Sequence, residues 1–315
     1  MDQTRRFGEG RLLVVAFEGW NDASEAASGA VTVLRDALGL TALHESDPEQ
    51  YFDYQFTRPV IYTDDDGNRA LRWPSATFYG PATSSAALPR GVQPEVVPDG
   101  QSAASDAPLS EIENVFVLVG SEPSRGWKSF SAEILDQALV HDITGIVVLG
   151  AMLADVPHTR PISVFASSES AELRQEFGLE RSTYEGPVGI LSVIADVADA
   201  VGIPTVSIWA SVPHYVHNAP SPKATLALIE KLEEIVGLPI PRGDLEDEAT
   251  AWESGIDALA GEDEDMAAYI EQLEQARDTV DSPEASGEAI AKEFERYLRR
   301  RGDGREGFAG GDQPL

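Results

Sequence analysis

Five short runs of β-branched and aliphatic residues constrain this chain most: Leu12–Phe17, Val115–Gly120, Ile146–Leu149, Ile162–Ala166 and Thr205–Ala210. They lack a sustained polar alternation and are bounded by turn residues, so they read as strands buried on both faces. Between them lie segments of helical period: Ala23–Leu38, Phe130–His141, Glu169–Phe177, Gly189–Val201 and Ala224–Val236. A strand that is apolar on both sides needs cover on both. The alternation therefore predicts an α/β sandwich, a largely parallel sheet with helices on each face.

Residues 58–79 interrupt the pattern. Two strand-like arms flank Asp66-Gly67, a pair suited to a tight hairpin turn. Tyr62, Leu71 and Trp73 on those arms need an apolar surface, which either a neighbouring subunit or the chain's own sheet can supply. The stretch Ala82–Pro108, rich in proline, serine and alanine, reads as a mobile surface loop.

After Gly237 the composition shifts: residues 243–265 hold ten acidic side chains and no basic one. Apolar positions still recur at helical spacing there. Ala249, Trp252, Ile256 and Leu259 form one stripe; Met266, Ile270, Leu273 and Val280 a second; Ile290, Phe294, Tyr297 and Leu298 a third. Ser282-Pro283 supplies an N-cap and a first-turn proline for the last. The expected organisation is a core over 1–240 and a helical subdomain over 241–301. A glycine-rich disordered tail follows over 302–315.

Composition narrows the chemistry. With no cysteine there is no disulfide, thiolate metal site or thiol nucleophile, which fits a reducing cytoplasm. A net charge of −31 repels phosphate backbones and anionic lipid, so neither nucleic acid nor a membrane surface is an expected partner. Arg5 and Arg6 precede an apolar run too short for a secretory signal, and no stretch approaches the ~20 apolar residues of a span. A cytoplasmic protein is expected.

Familiar signatures are missing: no phosphate loop, no G-x-G-x-x-G after the first strand, no G-x-S-x-G elbow and no zincin helix. No metal or cofactor is implied. The unusual residues lie instead where predicted strands end. "EGWNDASEAA" follows the first strand; Asp22 and Glu25 have capping-box spacing, while Trp20 and Asn21 are unexplained by it. "GSEPSRGWKSF" offers Glu122 and Trp127 as pocket-lining groups and Arg125 as a partner for an acid. "LGAMLADVPHTRP" sets His158 and Arg160 between prolines, where a cation beside a histidine can hold a carboxylate or phosphate. "STYEGPVG" adds Tyr184. "SVPHYVHNAPSPKAT" starts a helix at Ser221-Pro222 after an extended segment carrying His214, Tyr215 and His217. Two histidines three apart on an extended segment face opposite ways, which argues against zinc.

Four of these stretches carry a resemblance: "FEGWNDA" at 17–23, "LGAMLADVPHTRP" at 149–161, "YEGPVG" at 184–189 and "WASVPHYVHNAPSPKAT" at 209–225. With them the chain resembles the actinobacterial branch of the proteasome assembly chaperone two family over roughly Leu12 to Gly237. The resemblance implies a three-layer α/β/α core of the phosphorylase/hydrolase-like type. It also implies homotrimers to which the hairpin contributes, and C-terminal helices covering a ligand cleft. That cleft would be lined by Trp20, Asn21, Asp22, Glu122, Trp127, His158, Arg160, Tyr184, His214 and Tyr215. Relatives that dock on proteasomes often end in a hydrophobic residue, tyrosine and any residue, whereas this chain ends Gln313-Pro314-Leu315. The implied role is a non-catalytic chaperone-like or scaffold protein with a proteasome-related partner. The alternatives are a hydrolase- or phosphorylase-like enzyme, or a small-ligand sensor, using the same cleft.

Overall fold

The computed structural model describes residues 7–64, 66–82, 114–237 and 239–281. In chain order its elements are β1 (Arg11–Glu18), α1 (Ala26–Ala37), β2 (Thr41–Glu45), α2 (Pro48–Tyr51), β3 (Val60–Thr63), β4 (Arg69–Arg72) and β5 (Ala76–Gly80). There follow β6 (Val115–Ser121), α3 (Trp127–Val140), β7 (Ile143–Ala154), β8 (Val164–Ser167), α4 (Ala171–Phe177), α5 (Ile190–Ala200) and β9 (Thr205–Pro213). The last helices are α6 (Pro222–Val236), α7 (Leu245–Gly261) and α8 (Glu264–Asp281).

All five apolar runs become strands of one seven-stranded sheet, in the order β2-β5-β6-β1-β7-β9-β8. The four central strands, β6, β1, β7 and β9, are parallel, and the sheet turns antiparallel toward both edges. β1 shows why a continuous apolar run suits this place. Leu12, Val14 and Ala16 pack with Ala30, Val31 and Leu34 of α1 and with Leu228 and Leu232 of α6. Leu13, Val15 and Phe17 point the other way, to Phe130 and Ile134 of α3 and Ile190 and Ile194 of α5. All six are at most 1% exposed, and burying each large one contributes roughly 1.5–3 kcal/mol. The result is a helix–sheet–helix sandwich, as the alternation predicts.

Two strands escape the sequence reading. β2 is mostly exposed, and β5 alternates buried with half-buried residues, because both lie on the antiparallel side where only one face is fully covered. The segment expected as one hairpin over 58–79 is accordingly shorter. β3 and β4 alone form the separate two-stranded sheet, closed by Gly67 at φ +83° and by Asn68 N donating to Asp64 Oδ1 at 2.7 Å. Ala76–Gly80 belongs to the main sheet beside β6.

The chain divides into two compact units, Met1–Asp257 and Ala258–Leu315. Within the first, Leu245 at the start of α7 joins the core on the α1/α6 side. In the second, Ile270 and Leu273 of α8 are buried, while Leu259, expected on a buried stripe, is 70% exposed. The third helical stripe, the Ser282-Pro283 cap, the tail and nearly all of the loop expected over Ala82–Pro108 lie outside the described residues.

Candidate functional site

The four central strands run in parallel, so the loops after β1, β6, β7 and β9 meet at one edge of the sheet. This is where open α/β folds place their ligands. The loop after β1 is locked first. Ala151 N of β7 donates to Asn21 O at 2.8 Å, which leads the chain past the β7 edge before α1 begins. Ser24 and Glu25 then both adopt the left-handed conformation, each at φ 53°, a strained arrangement for two consecutive non-glycine residues. The detour lets Asp22 reach back over the helix end. Its Oδ1 accepts from Ala27 N at 2.7 Å and Ser28 N at 3.2 Å, and its Oδ2 accepts from Ser28 Oγ at 2.5 Å. Asp22 therefore caps α1, but across the left-handed pair rather than through the expected box, and Glu25 is exposed. Burial raises the Asp22 carboxyl above the ordinary aspartate range, against the lowering effect of the Ser28 and Ala27 hydrogen bonds.

A second carboxylate organises the loop after β6. Glu122 Oε1 accepts from Asn21 Nδ2 at 3.1 Å and from Ile190 N, the first residue of α5, at 2.9 Å. Gly189 makes this approach feasible: a Cβ there would lie 2.0 Å from Asn21 Nδ2. The same loop is held from outside by Tyr51, whose carbonyl accepts from Ser124 N and Arg125 N at 2.9 and 3.2 Å. Among the described residues Arg125 pairs with no acid; its Nε donates to Gln50 O at 3.2 Å, and Trp127 Nε1 donates to Pro123 O at 2.5 Å. Tyr51 is fixed in turn by its hydroxyl on Glu133, which also faces His44 Nε2 at 2.7 Å.

A helix N-terminus is a ready-made anion site. Both helices that start beside the β1 and β6 loops, α1 and α5, already hold an anion of the chain's own, Asp22 on one and Glu122 on the other.

His158 forms a separate node after β7. The ring is wholly buried. Its backbone N donates to the Tyr215 hydroxyl at 2.8 Å, its Nδ1 lies 2.9 Å from the same oxygen, and its Nε2 lies 3.1 Å from Asp257 Oδ1. In a neutral ring this network fixes the tautomer: Nε2–H donates to Asp257, and Nδ1 accepts the Tyr215 O–H. Trp252 packs edge-on against the imidazole, and Lys223 Nζ bridges His158 O to Glu253. Three residues of α7, Trp252, Glu253 and Asp257, are thus pinned over the β7 and β9 loops.

The ten expected residues fall into groups. Asn21 and Glu122 bond directly, with Asp22 adjacent; His158 and Tyr215 bond directly, with the His214 ring 5.7 Å from Tyr215. A backbone bond joins the two groups, Ser221 N to Ser24 O at 2.9 Å. Arg160 Nη1 reaches Thr159 Oγ1 at 3.4 Å. Tyr184 is exposed and donates to Pro187 O at 3.0 Å, while Trp20 is 65% exposed. The segment after β9 is a 3₁₀ turn over His214–Val216, not extended, and His217 Nδ1 donates to His214 O at 2.7 Å. Among the described residues no group of three His, Asp or Glu is placed to hold a metal ion, and no helix is long and apolar enough to cross a membrane. Asp257, Glu253, Lys223 and Gly189 were not singled out from sequence. Only Gly189 had a signal, its place before a predicted helix in "YEGPVG".

A family model described as the PAC2 family matches residues 16–260. A PAC2 family protein of Streptomyces avermitilis is 36% identical with a TM-score of 0.66, over 82% of this chain and 99% of its own. A proteasome-assembly chaperone homologue of Mycobacterium tuberculosis is 38% identical with a TM-score of 0.65, over 82% and 99%. An archaeal proteasome activator of Pyrococcus furiosus shares the fold at 14% identity and a TM-score of 0.56, over 79% and 92%. Among curated proteins none matches.

Proposed function

This chain belongs to the PAC2 family, and from that premise we propose that it is a non-catalytic assembly or scaffold protein. It meets a proteasome-related protein and copies of itself, as trimers, through its surfaces. One observation carries this reading. The polar groups at the edge where an α/β enzyme would bind its substrate are consumed by one another, Asn21 and Ile190 N on Glu122, and Ala27 N and Ser28 on Asp22. Building a substrate site there would require breaking bonds between buried groups, at about 1–3 kcal/mol for each group left unpaired.

The alternative, an enzyme or a small-ligand sensor, is favoured by the order Asp257–His158–Tyr215, which resembles a carboxylate–imidazole–hydroxyl relay. Against it, His158 is completely enclosed, and its own backbone N–H occupies the Tyr215 oxygen. Affinity capture of the tagged full chain from native lysate tests the main reading. Proteasome subunits or their immature assemblies are the expected company. Recovery of neither, together with turnover or tight binding of a phosphorylated small molecule by the purified protein, would transfer support to the alternative.

A further inference from the structure

Asp22 has two ways to cap α1, and the fold uses the one that the local sequence does not favour. Asp22-Ala23-Ser24-Glu25 has the spacing of a capping box. In that box a right-handed helix would start at Ala23, Asp22 would bond the amides of its first turn, and Glu25 would reach back to the Asp22 amide. The fold instead holds Ser24 at φ 53°, ψ 35° and Glu25 at φ 53°, ψ 26°, and Asp22 caps further along, at Ala27 and Ser28. Two successive left-handed residues other than glycine are strained. Nothing at Ser24 itself offsets that strain, since its hydroxyl is buried with no hydrogen-bond partner among the described residues. What holds the turn is tertiary. Ser24 O accepts from Ser221 N at 2.9 Å, Ala26 O accepts from Thr225 Oγ1 at 3.3 Å, and Asn21 is tied to Ala151 and Glu122.

The two arrangements ask different things of the Asp22 carboxyl. In the one observed it is buried, and Ser28 Oγ lies 2.5 Å from Asp22 Oδ2 and 3.5 Å from Glu25 O. A protonated Asp22 can therefore donate to Ser28 Oγ, whose own hydrogen then turns to Glu25 O and adds a bond across the turn. In the box the carboxylate would sit at a helix N-terminus open to water, where ionisation is favoured. The charges around Asp22 do not favour the buried anion. Glu18 at the end of β1, Glu25 in the turn and Glu122 after β6 are all acidic. Beyond β7, Asp155 pairs with His214 at 3.3 Å, and His158 is bonded to Tyr215 and Asp257. On the α6 side, Lys223 is committed to His158 O and Glu253. Burial holds the Asp22 carboxyl above the ordinary aspartate range, which moves its titration toward neutral pH.

We propose that residues 21–28 form a two-state turn operated by the Asp22 proton. Protonated, the turn keeps the left-handed pair and its grip on α6; ionised, it relaxes to the capping box and lets go. In the box Ser24 O becomes the helical acceptor for Ser28 N, and Ser221 N loses its partner. Ser221 caps α6 two residues before Lys223, which grips α7 through Glu253. The turn thus sets how firmly α7 is held over the β7 and β9 loops. The sign follows from linkage: the left-handed state is favoured below the ordinary aspartate pKa and loses that advantage as pH rises through the Asp22 value in the fold.

The test is residue-resolved amide exchange and backbone chemical shift by NMR on the full chain across the Asp22 titration. In wild type the protection of the Ser221 amide, corrected for the intrinsic effect of pH, should fall about tenfold as pH is raised. The Ser24 and Glu25 Cα shifts should move from left-handed toward right-handed helical values over the same range. Glu25→Gly removes both the left-handed penalty and the box carboxylate, and should leave Ser221 protected throughout. Asp22→Asn has no proton to lose and should give protection independent of pH. Left-handed shifts at every pH in wild type overturn the proposal, as does a Glu25→Gly chain with the full wild-type pH dependence. An equal loss of protection at Val14 of β1 would mean general loosening of the fold and overturns it too.

Discussion

The sheet-edge loops and the β3–β4 hairpin depart from the sandwich in opposite ways. The loops bury polar groups, and Asn21, Asp22, Glu122 and His158 each bond to a partner in the same chain. The hairpin exposes apolar groups, with arginines among them and little of its own to pack on. The difference teaches where to look for function. A polar cluster that is already satisfied is a scaffold, however much its residue types resemble an active site, whereas exposed apolar area is interaction surface still unspent.

The largest expected effect on stability comes from the loops. His158→Ala removes a fully buried ring together with its bonds to the Tyr215 hydroxyl and Asp257, and should lower unfolding free energy by about 3–4 kcal/mol in urea titration. A loss below about 1 kcal/mol would mean that α7 is not held by this node. Glu122→Ala comes next, at about 2 kcal/mol, because Ile190 N and Asn21 Nδ2 lose their acceptor while water gains entry; Glu122→Gln should recover most of it. Asp22→Ala should cost about 1–2 kcal/mol as a lost helix cap.

Asp22 also predicts a pH dependence. Its pKa is raised in the folded state, so the fold favours the protonated acid. The stabilisation from that proton is full below the ordinary aspartate pKa and is lost as pH rises through the folded value. Asp22→Asn keeps an acceptor without the buried charge. Its stability relative to wild type should therefore rise as pH is raised above the ordinary aspartate range; a flat difference would show that burial of the carboxylate costs nothing.

The hairpin should give the smallest effect on the single chain. Leu71→Ser is expected to change its unfolding free energy by no more than about 0.5 kcal/mol, yet to weaken self-association at least tenfold by sedimentation. If it destabilises the dilute monomer by several times that amount, the hairpin packs on its own chain and the contrast between the two regions collapses.

Much of the sandwich was legible because β1, β6, β7 and β9 are buried on both faces and say so in their composition. β2 and β5 were not, since strands covered on one side alternate too briefly to separate from loop. The site was legible as a set of loops but not as a set of bonds. Glu122 reaches Asn21 across 101 positions and His158 reaches Asp257 across 99, and no local pattern announces such pairings. Nor could residue type tell a committed Asn21 from an available one; that depended on Gly189, whose missing side chain admits the contact.

The central place of β1 has a consequence in time. Its neighbours, β6 and β7, begin at Val115 and Ile143, so the first strand is synthesised long before anything can pair with it. At about 5–20 residues per second the ribosome needs roughly 5–20 s to deliver the next hundred residues. Throughout that interval Leu12–Phe17, at most 1% exposed in the finished protein, remains a bare aggregation-prone strand. The nascent chain must therefore be shielded by other means until its middle third has emerged, and the yield of folded protein should depend on translation speed across residues 18–115.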